Sequence, residues 1–170
     1  MRSVLAVVLA CLGLGCKPPE PATTWPDVAP LLAAADADPA RRAALVQGGA
    51  QAFERLGCVT CHRFDDRLAN GPKLAGIVGQ PVDLLRPVGP DESAGAAGAA
   101  GAAGAADGWI RRATVVDRPY LYESITRPQA WYVAGYESAA RMSWFGWLPA
   151  HEVAALIAYL ESRSAPPAPD

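Results

Sequence analysis

Apolar residues recur at helical spacing in three stretches of this chain. From Pro39 to Leu56, the residues Leu45, Val46, Gly49, Phe53 and Leu56 fall on one stripe. Asp38-Pro39 supplies a start signal and Gly57 a stop. From Pro119 to Thr126, Leu121, Tyr122 and Ile125 face one way, and Arg127-Pro128 ends the run because a residue before proline is pushed out of the α region. From Pro149 to about Ser162, Val153, Leu156, Ile157 and Leu160 form a third stripe, with Pro149 suited to a first turn. The pattern predicts an all-α domain over residues 40–163 with long irregular loops between its helices. So few apolar stripes among so much connecting chain make a thin core, which needs a staple or a large cofactor to bury.

The flanks read differently. "MRSVLAVVLACLGLGC", residues 1–16, has one charge at Arg2 and an apolar run from Val4 to Leu14, which is short for a bilayer span and fits a signal-peptide core. The run ends in small residues before Cys16 and resembles a bacterial lipoprotein signal, in which that cysteine is lipidated and becomes the new N-terminus. Cys11 is a competing position that would leave a very short apolar core, and an ordinary cleaved signal or an uncleaved anchor are the plainer alternatives. Residues 17–39 open with a proline-rich stretch, "KPPEPATTWPDVAP", which is expected to be an extended tether. Residues 89–108 hold a low-complexity insert centred on "GAAGAAGAAGAA", with no side chain large enough to pack, and residues 164–170 form a proline-rich tail expected to be disordered.

Composition narrows the chemistry. A formal net charge of −2 gives no basic footprint for nucleic acid. There are four cysteines (Cys11, Cys16, Cys58, Cys61), two histidines (His62, His151) and two methionines (Met1, Met142), so a metal site has few ligands to draw on. "GCVTCHRF" places Cys58, Cys61 and His62 in a C-x-x-C-H motif. A C-x-x-C pair alone could be redox-active, half of a zinc site or a disulfide. Zinc wants about four ligands, which this chain can hardly assemble, and no βαβ setting for a thioredoxin-like pair is visible. The histidine directly behind the second thiol decides for haem c. Two thiols add to the two vinyl groups, and the next residue turns its imidazole to the iron. Export across a membrane agrees with covalent attachment of this kind.

At this point the chain resembles the class I cytochromes c, most closely the cytochrome c domain of bacterial cytochrome c oxidase subunit II. The stretches that carry the resemblance are "GGAQAFERLGCVTCH", "NGPKLAGIVG", "RPYLYESITRPQAWYVAGYESAARM" and "LPAHEVAALIAYL", within residues 47–161. No copper-binding cupredoxin domain precedes them. The resemblance implies a class I cytochrome c fold around one covalently bound haem, with first and last helices crossing at Gly49 and Phe53 packing on Tyr159. It implies that the Pro72 carbonyl accepts a bond from His62 Nδ1 and that Leu74 walls the haem; Trp131 and Tyr132 are candidates to donate to its propionates. Met142, on the loop before the last helix, takes the place of the distal ligand, although Ser143 follows it where the family has proline. His151, the other candidate, falls at a position that the family leaves exposed.

The function so implied is that of an electron carrier rather than an enzyme: a membrane-tethered monohaem cytochrome passing single electrons to or from a respiratory complex. It would sit on the periplasmic side of a bacterial membrane, anchored through Cys16. Its partners would be redox proteins of a respiratory chain, with no nucleic acid and no small-molecule substrate. A fixed haem subunit of an oxidase or dehydrogenase, and a haem enzyme or gas sensor with an open distal site, are the competing readings.

Overall fold

The computed structural model describes residues 21–89, 108–139 and 141–164. The signal segment, Cys16, the Gly/Ala triplets and the last six residues fall outside that set.

The first element is unexpected. Residues Trp25–Asp36, placed in the extended tether by their prolines, form helix α1. Thr24 starts it, donating from both its amide (2.8 Å) and its hydroxyl (2.6 Å) to the Asp27 carboxylate. Pro26 lies in the first turn, where its missing N–H costs nothing. Pro30 does remove one internal bond, at a cost of about 3 kcal/mol. Val28, Leu32 and Ala35, at most 1 % exposed, outweigh it, since burying a Val or Leu side chain is worth roughly 1.5–3 kcal/mol.

Helix α2 spans Pro39–Arg55, capped by the Asp38 side chain, and α4 spans Ala150–Ser162. The two cross closely and α1 packs on both. The crossing is set by Gly49, where a built Cβ would lie 2.0 Å from the Ala155 carbonyl oxygen and 2.6 Å from Tyr159 Cβ. Phe53 of α2, Tyr159 of α4 and Phe64 then meet in a three-ring cluster with centroids 5.4–5.6 Å apart. Helix α3, Arg118–Thr126, is capped by Asp117 and contributes Leu121 and Ile125 to the same core. Arg118 ties three helices together. Its guanidinium grips Asp36 of α1 at 2.6 and 2.8 Å and Glu161 of α4 at 2.6 Å.

The fold is not all-α. Among the described residues, four helices are joined by a three-stranded antiparallel sheet in the order β2-β1-β3. Strand β1 (Pro81–Pro87) pairs along its whole length with β2 (Trp109–Val115), from Pro81 opposite Val115 to Pro87 opposite Trp109. On its other edge, Leu84 and Leu85 pair with Val133 and Tyr132 of the short β3. The low-complexity insert is therefore the connection of a β-hairpin. A run of "PVDLLRP" with proline at each end and "WIRRATV" do not show an apolar helical stripe, and the insert removes the short-turn signal by which a hairpin is usually read.

Candidate functional site

Gly57 ends α2 in the left-handed region, φ +76°, and turns the chain into a single 3-10 turn at Cys58–Thr60. Backbone bonds to the Cys58 carbonyl from Cys61 N (3.2 Å) and His62 N (2.9 Å) wind this stretch tightly, so both thiols and the imidazole share one short arc. Residues 70–74 fold back along it, with Gly71 N donating to Cys61 O and Leu74 N to Arg63 O, both at 2.8 Å. Gly71 is required there. A Cβ on it would stand 2.7 Å from His62 Cε1 and 2.9 Å from Nδ1.

That fold-back brings the Pro72 carbonyl to 3.0 Å from His62 Nδ1. A carbonyl only accepts, so Nδ1 carries the proton and Nε2 keeps its lone pair for a metal. Both thiols are free. Burial pushes the Cys58 thiol above its ordinary pKa, with the neighbouring Cys61 acting in the same direction, which keeps it protonated at neutral pH.

Cys58, Cys61, His62, Pro72, Leu74, Trp131, Tyr132 and Met142 all line one cavity of about 340 Å³. Phe53 of α2, Leu56 just after it, and Leu156 and Leu160 of α4 supply one wall. Leu121 and Ile125 of α3 supply another, and β3 brings Tyr132 and Val133 to a third. Met142, Ser143 and Phe145 come from the loop before α4. His151 is exposed in the first turn of α4 and lies away from the cavity. The lining contains no Asp or Glu, and Arg141 is its one guanidinium among the described residues. Trp131 is flanked by the guanidinium carbons of Arg112 (4.5 Å) and Arg86 (5.3 Å), while Tyr132 meets Trp109 edge-on at 6.3 Å and Arg141 at 5.8 Å.

Several lining residues escaped the sequence reading. Gly71 had a signal, since glycine beside a proline in a turn next to a ligand motif marks a close approach. Tyr120 and Ser124 of α3, and Arg141, had none. Burial raises the Tyr120 phenol above its ordinary value.

The donor set fits haem c. Two unpaired thiols, an imidazole with its tautomer fixed and a thioether share an apolar cavity, and the loop holding Pro72 leaves no room for a side chain beside the imidazole. It fits a bare metal ion poorly, since among the described residues no group of three or more His, Cys, Asp or Glu is arranged to hold one. No helix among the described residues is long and apolar enough to cross a membrane. No protein-family model matches the chain, and no curated protein matches it.

Proposed function

We propose that this chain is a monohaem c-type cytochrome that carries single electrons to or from a membrane redox complex, tethered to the periplasmic side of a bacterial membrane by a lipid on Cys16. One observation carries the reading: the C-x-x-C-H motif and Met142 line the same apolar cavity, with His62 Nδ1 held by Pro72. Cys58 and Cys61 would hold the group through thioether bonds, and His62 Nε2 and Met142 Sδ would ligate its iron. Haem held in this way supplies a one-electron Fe(III)/Fe(II) couple, which thioether ligation raises in potential.

The chain's own residues do the rest. Pro72 fixes the plane and basicity of His62. Leu74, Phe145, Leu156 and Leu160 exclude water. Met142, which lines the cavity, would occupy the iron in place of an exogenous ligand, and that would separate a carrier from a catalyst. The partners that fit this reading are redox proteins of a respiratory chain.

The test is a spectrum of the purified chain with three variants. Cys58→Ala combined with Cys61→Ala should abolish covalent haem. Met142→Ala should lower the potential and let carbon monoxide bind the reduced protein. Met142 is only partly buried, so its packing loss should fall near the lower end of the usual 2–5 kcal/mol. His151→Ala should change neither property. If His151→Ala opens the iron while Met142→Ala does not, the distal assignment is reversed. Rapid carbon monoxide binding by the wild type would favour an enzyme or sensor instead.

A further inference from the structure

We propose that the segment from Ala22 to Asp36 is a brace that positions Met142 over the cavity. The proposal rests on the haem reading above and concerns residues far from the C-x-x-C-H motif in sequence.

The loop 141–148, which carries Met142, is short of regular structure of its own. Its inner anchors are Leu148, fully buried in the helical core, and a turn in which Leu148 N donates to Phe145 O at 3.0 Å. Gly146 lies under the Trp144 ring, which leaves no room for a side chain there, since a built Cβ would stand 2.5–2.7 Å from the indole. The Gly146 carbonyl points away from the loop and accepts from Ala22 N at 2.6 Å. That bond crosses from the start of the described chain to the turn beside Phe145, a cavity residue three positions after Met142.

The brace is itself held firmly. Thr23 is 5 % exposed, and its carbonyl accepts from the Tyr122 hydroxyl of α3 at 2.7 Å. The Trp25 and Tyr122 rings are 5.9 Å apart. Behind them, Val28, Leu32 and Ala35 are buried in the core, and Asp36 is gripped by Arg118. Residues 22–25 thus join the distal loop to α3, whose Leu121 and Ile125 form another wall of the cavity. A loop pinned at Gly146 as well as at Leu148 samples fewer conformations; freed at Gly146, it would sample others that carry the Met142 thioether away from the cavity.

Two mild variants test this on the full chain. Ala22→Pro removes the N–H that reaches Gly146, and Tyr122→Phe removes the hydroxyl that holds Thr23. Neither residue lines the cavity. Ile157→Val, a core change on α4 that also stays clear of the cavity, is the control for stability alone. The readouts are the weak long-wavelength band of oxidised thioether-ligated haem and the rate at which carbon monoxide enters the reduced protein.

Each brace variant should weaken the band and speed carbon monoxide entry on the order of tenfold, the usual worth of one lost hydrogen bond. Covalent haem should be retained, and Ile157→Val should leave both readouts unchanged. Brace variants that keep band and rate at wild-type values overturn the proposal. So does a control that loses the band in step with its stability, because α1 would then act only on the fold. A wild type with covalent haem but no thioether band removes Met142 as the ligand, and a wild type without covalent haem removes the haem reading itself.

Discussion

Gly48 and Gly49 are neighbours on α2, yet alanine at each should move stability in opposite directions. At Gly49 the new methyl would stand 2.0 Å from the Ala155 carbonyl oxygen and 2.6 Å from the Ala155 carbonyl carbon, where ordinary contact begins at 3.4 Å. The obstacle is the backbone of α4, so no side-chain rotation relieves it. The helices must separate by about 1.4 Å at this point, which also opens the Phe53–Tyr159 packing next to the cavity. Overpacking of this kind costs about 1–3 kcal/mol, with a backbone clash at the upper end. The gain from alanine's better helix propensity is about 1 kcal/mol. The expected net loss for Gly49→Ala is therefore about 2 kcal/mol, which lowers Tm by roughly 5–15 °C.

Gly48 supplies the control. A Cβ there meets only Ala155 Cβ, at 3.8 Å, which is ordinary contact. Gly48→Ala should keep the propensity gain and raise stability by about 0.5–1 kcal/mol. Thermal or denaturant unfolding of both variants, followed by circular dichroism, measures the difference directly. Equal stability of the two variants would refute the argument that the crossing at Gly49 sets the distance between α2 and α4.

Two further expectations concern the N-terminal part of the chain. The carboxyl of Asp36 is held below its ordinary value of 3.8, first by its hydrogen bonds from Arg118, and that of Asp27 by its bond from the Thr24 hydroxyl. A depressed carboxylate adds stability that is present above its unfolded value and lost as pH falls through its lower folded value, so α1 should loosen below about pH 4. Amide exchange at Val28 and Leu32 checks this, and an Asp36→Asn variant with an unshifted acid midpoint would count against it. Ahead of α1, Pro21 is five residues from Cys16, a span of at most about 18 Å if extended. The lipidated protein should fractionate with membranes, Cys16→Ser should release it or block maturation, and a wild type recovered soluble without an acyl group would end the tether idea.

The C-x-x-C-H motif carried most of the site in the sequence, because its chemistry demands adjacent residues. Cys58, Cys61 and His62 need only one tight turn to face one cavity. The three helical stripes were legible for a similar reason: Leu121, Ile125, Val153 and Leu156 repeat at the spacing that a helix makes. Helix α1 was hidden because Pro26 and Pro30 read as breakers, whereas the decisive quantity is the burial of Val28 and Leu32, a tertiary fact. The sheet was hidden because its pairing is non-local. Leu84 opposite Arg112 is fixed by a ladder whose strands are separated by the whole insert.

The sheet also changes what the cavity is. Leu84 and Leu85 are buried, at 2 % and 5 % exposure, but they are not part of the helical core, which runs from Val28 and Leu32 through Phe53 to Ile157 and Leu160. Direct contacts between the sheet and the helices are sparse, while α1, α2 and α4 pack on one another. The cavity lies in this gap, with Trp131, Tyr132 and Val133 on the sheet side and Phe53, Leu56, Leu156 and Leu160 on the helical side. A large apolar group bound there would touch both layers at once and act as the core that joins them. Its binding free energy would then also be folding free energy for the hairpin and the distal loop, since a group that binds only the folded arrangement stabilises that arrangement. On the haem reading proposed above, the thin core expected from the sequence and the cavity found in the structure would be one property: the part of the interior left open between sheet and helices would be filled by a group that attachment at Cys58 and Cys61 makes permanent.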